Sequence, residues 1–325
     1  MNTKNFIIGI NMHNRGYAAY PEKTLERNLD YCEQMGVNLI NINFVPGTDE
    51  DYEYIKSVAE TIRNRGMKFC LCVDDRSCFS MNLEDIEELN YNHQKKMCEA
   101  LKGLVDIYEV GPEFDVPAMH TDMGDVYNIT GVGFDGMVAE EYDPVRLEKT
   151  APAVRGRIRA VREFDSKAKT MVAFAWWHTY YVEYLRANGC EWDIMGVDWY
   201  ADGENKSSFV DLLAWLEEHF GKMPVLITET NYWGYWYKDK DEAQADEEQK
   251  EWVCNFTEHI YKDTPEHCMG LVFYELMDEP CFDEDFGGFH GEAHFGFIKC
   301  NKDGSNPMPK PVVKALGETA KKLLG

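Results

Sequence analysis

The stretch MPVLITETNYW, residues 223–233, decides the fold. Pro224 enters it, Val225, Leu226 and Ile227 form a short apolar run, and the run stops on Thr228, Glu229 and Thr230. Short apolar runs bounded by turn signals are the pattern of strands covered on both faces, as in parallel sheets. An acid at the C-terminal end of such a strand stands where α/β barrels carry their chemistry. Working outward, the pattern recurs at residues 6–12, 37–44, 67–73, 105–110, 170–175, 192–197 and 270–276, which makes the quoted stretch the seventh strand of eight.

Amphipathic segments separate the strands at residues 22–35, 49–65, 83–101, 146–164, 180–188, 209–220 and 241–261, and one at 312–324 closes the chain. Gly36, Gly66 and Gly103 end the first three, and Asn82 is expected to cap the third. Strand starts fall mostly about 25–40 residues apart, as βα units require. An open doubly wound sheet would show a glycine-rich phosphate turn after the first strand, and His13-Asn-Arg-Gly-Tyr is not one. The expected fold is therefore α/β: one (β/α)8 TIM barrel over residues 1–325, a single catalytic domain. A long Gly-, Asp- and Asn-rich loop, residues 114–143, follows strand four.

The bulk numbers narrow the function. At 325 residues, 44% of them hydrophobic, the chain can bury a large core. A net charge of −25 opposes nucleic-acid and anionic-membrane partners, which need clustered Lys and Arg. The N-terminal MNTKNFIIGINMHN lacks the apolar core and cleavage site of a signal peptide, and no stretch approaches the roughly 18 apolar residues of a membrane span. A cytoplasmic protein is expected, or a secreted one if the sequence is trimmed. The ten cysteines are scattered. Cys70 and Cys72 share a strand face, but no second pair follows at zinc spacing, so reduced core thiols are the expectation.

In a barrel, function is read at the C-terminal strand ends. These carry His13 to Arg15, Asn43, Asp74 to Arg76, Glu113, Trp176 to His178, Asp198 to Tyr200, Glu229 and Glu275. The ring is rich in carboxylates and large aromatics and poor in cations. Sugars offer apolar CH faces and many hydroxyls, so this mixture suits an oligosaccharide or polysaccharide better than a phosphate. Trp177 or His178 is expected to line the site, as are the aromatics Tyr232, Trp233, Tyr235, Trp236 and Tyr237. Glu109, an even number of residues before Glu113, is expected to face inward in a structural ion pair with Arg15.

VDIYEVGPEFD followed by MPVLITET resembles clan A of the glycoside hydrolases, and the strand-six text WDIMGVDWY is similar to that clan's. The text YELMDEP, the later EAHFG and a proline-flanked lysine add a likeness to its cellulase-like members. The resemblance implies that Glu113 is the general acid/base, Glu229 the nucleophile and Tyr200 its hydrogen-bond partner. It implies retention through a covalent glycosyl-enzyme. Tyr200, Trp177, His178, Trp199, Trp233, Glu275 and Asn43 are the expected substrate-binding residues. No cofactor and no metal are expected: His290, Glu292 and His294 are irregularly spaced, and the acids between Asp278 and Asp285 lack the EF-hand pattern.

One position departs from the clan. Pro112 stands where most members have an Asn that binds the sugar 2-hydroxyl, and proline has neither a side-chain amide nor an N–H. This keeps a second reading open, a catalytically silent carbohydrate-binding barrel. A metal-dependent barrel hydrolase is a third, which the few strand-end histidines disfavour.

Overall fold

The computed structural model describes residues 5–120, 135–200, 206–236, 241–285 and 290–325, with side chains omitted at 206–208, 236 and 284–285. Eight parallel strands, β1 (Ile7–His13), β2 (Leu39–Asn43), β3 (Lys68–Cys72), β4 (Ile107–Gly111), β5 (Lys169–Ala175), β6 (Ile194–Asp198), β7 (Val225–Thr230) and β8 (Cys268–Phe273), close into a barrel in sequence order. The helices are α1 (Leu25–Gln34), α2 (Asp49–Asn64), α3 (Leu83–Ala100), α4 (Asp115–Ala118), α5 (Pro144–Phe164), α6 (Thr179–Ala187), α7 (Lys206–Phe220), α8 (Glu242–Asp263), α9 (Cys281–Asp285) and α10 (Pro311–Leu324). The (β/α)8 expectation holds, with boundaries moved by one to three residues. The sequence pattern missed the short antiparallel pair β9 (Ile298–Lys299) and β10 (Met308–Pro309), because two-residue strands leave no period to read.

By its contacts the chain divides into two compact units. One holds Met1–Asn43, Thr61–Phe69 and Trp199–Gly325; the other holds Phe44–Glu60 and Cys70–Asp198. In the first, β1 pairs in parallel with β2 and β8, and β8 with β7. Every residue of β1 is buried. The closing helix α10 packs on α8 and α1. Lys310, at its entry, is 3% exposed and donates to Asp278 Oδ1 at 2.9 Å and to the His294 carbonyl at 2.6 Å. The proline-flanked lysine thus ties the end of the chain to the segment that follows β8.

In the second unit β4 pairs with β3 and β5, and β5 with β6. Helices α3 and α5 lie closely against each other. At Gly156 a Cβ would come within 2.2 Å of the Glu87 carbonyl oxygen, so only glycine allows that approach. The next residue, Arg157, turns inward and is 1% exposed. It donates to the carbonyls of Val73 (2.7 Å), Val110 (3.3 Å) and Asp75 (2.6 Å) and to Asn90 Oδ1 (2.8 Å). One buried guanidinium therefore holds the carbonyls at the ends of β3 and β4, with its own charge satisfied by the same bonds.

Helix starts differ from expectation in one place. Asn82 makes no side-chain capping bond at α3, whereas Asp143 accepts from the N–H groups of Val145 (2.8 Å) and Arg146 (3.1 Å) at α5. All ten cysteines are free and seven are buried, in keeping with core thiols. Burial pushes the Cys70 thiol well up. Of the loop after strand four, residues 121–134 lie outside the described residues; its ends form α4 and an antiparallel bridge between Met119 and Tyr142.

Candidate active site

Glu113 follows β4 by two residues. Its backbone φ is +36°, a left-handed conformation that costs a non-glycine residue about 1 kcal/mol or more and is concentrated at functional positions. The side chain is 24% exposed, and Arg76 Nη2 lies 4.0 Å from its Oε2. Arg76 is itself held by Asp74 at 2.7 Å. Burial raises the Glu113 carboxyl to about 7, and the Asp115 charge adds to the rise. Arg76, a hydrogen bond with Asp198 and His178 oppose it without reversing it. A hydrogen bond between two carboxyl groups requires one proton in the pair, which agrees with a protonated Glu113 near neutrality.

Asp115, wholly buried in α4, accepts from the Ala175 N–H at 3.0 Å and from His178 Nδ1 at 2.5 Å. These bonds tie Asp115 to the end of β5, from where its charge acts on Glu113. His178 is only 4% exposed, so the expectation that it touches substrate is corrected: it orients Asp115. Trp177 is half-buried at the same strand end. Pro112 is buried and Gly111 ends the ladder before it, so this turn brings no amide side chain.

In the other unit, Glu229 is the next-to-last residue of β7 and is half-buried. Its carbonyl accepts from the Trp199 N–H at 2.8 Å, and Thr230 Oγ1 donates to the Trp199 carbonyl at 2.6 Å. The segment after β6 is thereby fastened to the end of β7. Its next residue, Tyr200, donates from its hydroxyl to Glu229 Oε2 at 3.2 Å. A phenol donating to a carboxylate favours the ionised form. Tyr200 also lies against Trp233, ring centroids 5.7 Å apart, and both are half-buried. The Tyr274 phenol is held far above its ordinary value by burial and by the charges of Glu275 and Glu229, so it stays a proton donor beside them.

Two further expectations are corrected here. Trp199 is fully buried, its ring packed on Phe209 of α7 at 5.4 Å, because a residue one step from Tyr200 points to the other side of the chain. Glu275 is also fully buried; its Oε2 accepts from the Tyr20 hydroxyl at 2.9 Å and lies 3.1 Å from His13 Nε2. Neither presents an exposed surface to a sugar. Asn43 is half-buried, and its carbonyl accepts from Asn14 at 2.8 Å.

The aromatic loop divides as well. Tyr235 is 3% exposed, bonded to Asp246 at 2.8 Å, and centres a cluster with Ala245 and Phe295. Tyr232 and Trp233 pack partly against that cluster. The Trp236 side chain and Tyr237 lie outside the described residues. Arg15 pairs with Glu22 at 3.6 Å, and Glu109 is buried within β4.

Sequence reasoning gave no role to Asp115, Arg157 and Tyr274; it placed His13 only at a strand end and Glu279 only in an acidic run without a calcium pattern. Glu279 is 4% exposed, and burial and the Glu275 charge raise it to about 9. Glu275 is likewise raised, first by burial. His294 meets Asp283 at 3.3 Å instead of joining His290 and Glu292, and Asp278 is engaged by Lys310. Among the described residues, the groups with metal-ligand chemistry that do converge are His13, Glu275 and Glu279.

No family model matches the chain, and no curated protein matches it. Solved structures do. A family 1 β-glucosidase from Thermotoga maritima aligns with a TM-score of 0.69 at 11% identity over 98% of each chain. A β-glucosidase from Thermotoga maritima in complex with azafagomine gives 0.70 at 11% identity, again over 98% of each. The AHE enzyme from Alicyclobacillus herbarius gives 0.68 at 10% identity, covering 99% of this chain and 98% of that one. At such identity the likeness is one of fold: the chain shares the (β/α)8 barrel of these enzymes. No described helix is long and apolar enough to cross a membrane.

Proposed function

We propose that residues 1–325 form one catalytic domain, a retaining β-glycoside hydrolase in which Glu229 attacks the anomeric carbon and Glu113 serves as general acid and then general base. One observation carries the reading: two strand-end glutamates stand in contrasting surroundings. Glu113 is raised to about 7 by burial and Asp115, and Glu229 receives the Tyr200 hydroxyl. That is the division of labour glycoside cleavage requires, since the acid must hold a proton while the nucleophile is ionised.

In the first step Glu229 bonds to the anomeric carbon as the glycosidic C–O bond breaks, and Glu113 gives its proton to the departing oxygen. In the second, Glu113 takes a proton from water, whose oxygen displaces Glu229. Retention requires the two carboxyl groups to flank one bond about 5–5.5 Å apart. Half-buried Tyr200, Trp233 and Trp177 are the aromatic surfaces for an oligosaccharide or polysaccharide, and Asn43 is a polar contact. The solved β-glucosidases of the same fold support this substrate class.

The test is aryl β-glycoside turnover by wild type and Glu229→Ala, with the anomer of the first-formed product read by proton NMR. Loss of activity in the variant and a retained anomer are expected. Pro112 favours one alternative, a carbohydrate-binding barrel without catalysis, because the usual amide contact to the 2-hydroxyl is missing. Saturable sugar binding with no turnover across a broad glycoside panel selects that alternative.

A further inference from the structure

Beside the Glu229 half of the site lies a group of charges that glycoside cleavage does not use. His13 ends β1, Glu275 follows β8 by two residues, and Glu279 lies four residues further on. All three are buried, and one ligand atom from each falls within 4.8 Å of the others. Both oxygens of Glu279 and Oε1 of Glu275 are buried with no hydrogen-bond partner among the described residues. Glu279 Oε1 faces the group, 3.9 Å from His13 Nε2, and Glu275 Oε2 is 3.1 Å from the same nitrogen.

We propose that His13, Glu275 and Glu279 form a binding site for one divalent transition-metal ion of the zinc or manganese class. Two donors each about 2.1 Å from a shared ion stand about 3.0–3.4 Å apart at right-angled to tetrahedral geometry and about 4.2 Å apart when opposite. The two observed separations fall within that span. The donor set of one imidazole and two carboxylates suits zinc or manganese, whereas calcium and magnesium take oxygen donors throughout.

The surroundings are built for positioning. The Tyr20 hydroxyl donates to Glu275 Oε2, which sets that carboxylate's direction as outer-shell partners do at metal sites. Tyr17 stacks on the His13 ring, centroids 4.0 Å apart, and fixes its plane. The Tyr274 hydroxyl, 3.2 Å from His13 Nε2, supplies a further oxygen at the edge of the group. Two buried carboxylates with unsatisfied oxygens are costly unless a cation or protons neutralise them, and the nearby Lys310 is committed to Asp278 and His294.

The inference is independent of the glycosidase reading, because its test measures binding and not turnover. The full chain, stripped with EDTA and dialysed, is titrated calorimetrically with zinc chloride and with manganese chloride, with calcium and magnesium as comparators, and followed by thermal melting. One zinc or manganese ion per chain is expected to bind and raise the Tm. Affinity should fall at least tenfold in Glu279→Gln, a change that keeps the side-chain volume, with the melting curve of the metal-free variant reporting that it folds. Absence of saturable binding below millimolar metal overturns the proposal and leaves a proton-sharing carboxylate cluster. Binding unchanged in Glu279→Gln overturns it too, since the ion then sits elsewhere.

Discussion

Glu113 and Glu229 occupy comparable places at the C-terminal ends of β4 and β7, yet their surroundings work in opposite directions. Neither is deeply buried, so exposure alone does not separate them. Glu113 stands in a left-handed turn among carboxylates, with Asp115 wholly buried nearby and Asp198 sharing a hydrogen bond. Arg76 at 4.0 Å opposes the rise, and burial with Asp115 outweighs it. Glu229 stands in extended strand and meets a phenol donor. Burial and the Asp115 charge together raise the Glu113 carboxyl, while the nearest polar group to the Glu229 carboxylate is a phenol donor.

The comparison can be broken at four points. Glu113→Gln is expected to lower kcat on unactivated glycosides by about 10²–10⁴-fold, the usual worth of general acid catalysis. In wild type, kcat/KM should fall as pH rises through about 7, because Glu113 loses its proton there, and this alkaline limb should vanish in the variant. A limb that survives in Glu113→Gln assigns the titration to another group.

Arg157→Met leaves the carbonyls of Val73, Val110 and Asp75 without their donor. A loss of about 3 kcal/mol in urea unfolding is expected, since each orphaned buried acceptor costs about 1–3 kcal/mol. The Glu113 half depends on this clamp. The Glu229 half, fastened by Trp199 and Thr230, has no part in it.

Tyr200→Phe is expected to reduce kcat/KM by roughly 10–100-fold, the worth of one hydrogen bond to a charged group. Asp115→Asn is the smallest change. It removes a like charge, lowers the Glu113 carboxyl, and should shift the alkaline limb down by about one unit or less. An upward shift contradicts the account of Glu113 given above.

The eight strands were legible because strands covered on both faces write themselves as apolar runs, as in VLIT at β7 and FCLC at β3. Glu113, Glu229 and Tyr200 were legible because their positions follow strand ends. Burial beyond the strands was not. Trp199 and Tyr200 are adjacent and equally aromatic, and only strand alternation with the packing of Phe209 sends one inward. Arg157 sits in RGRIRAVR among arginines that look alike in sequence, and its inward turn depends on carbonyls 47 to 84 residues away. His13, Glu275 and Glu279 come from β1 and the segment after β8, and no local pattern joins them.

The contact at Gly156 has a mechanical consequence. A backbone oxygen blocks any side chain there, and the neighbouring guanidinium serves three main-chain carbonyls whose demands are the same whatever side chains surround them. A side chain at position 156 would therefore wedge α5 away from α3 and draw the guanidinium off its three acceptors.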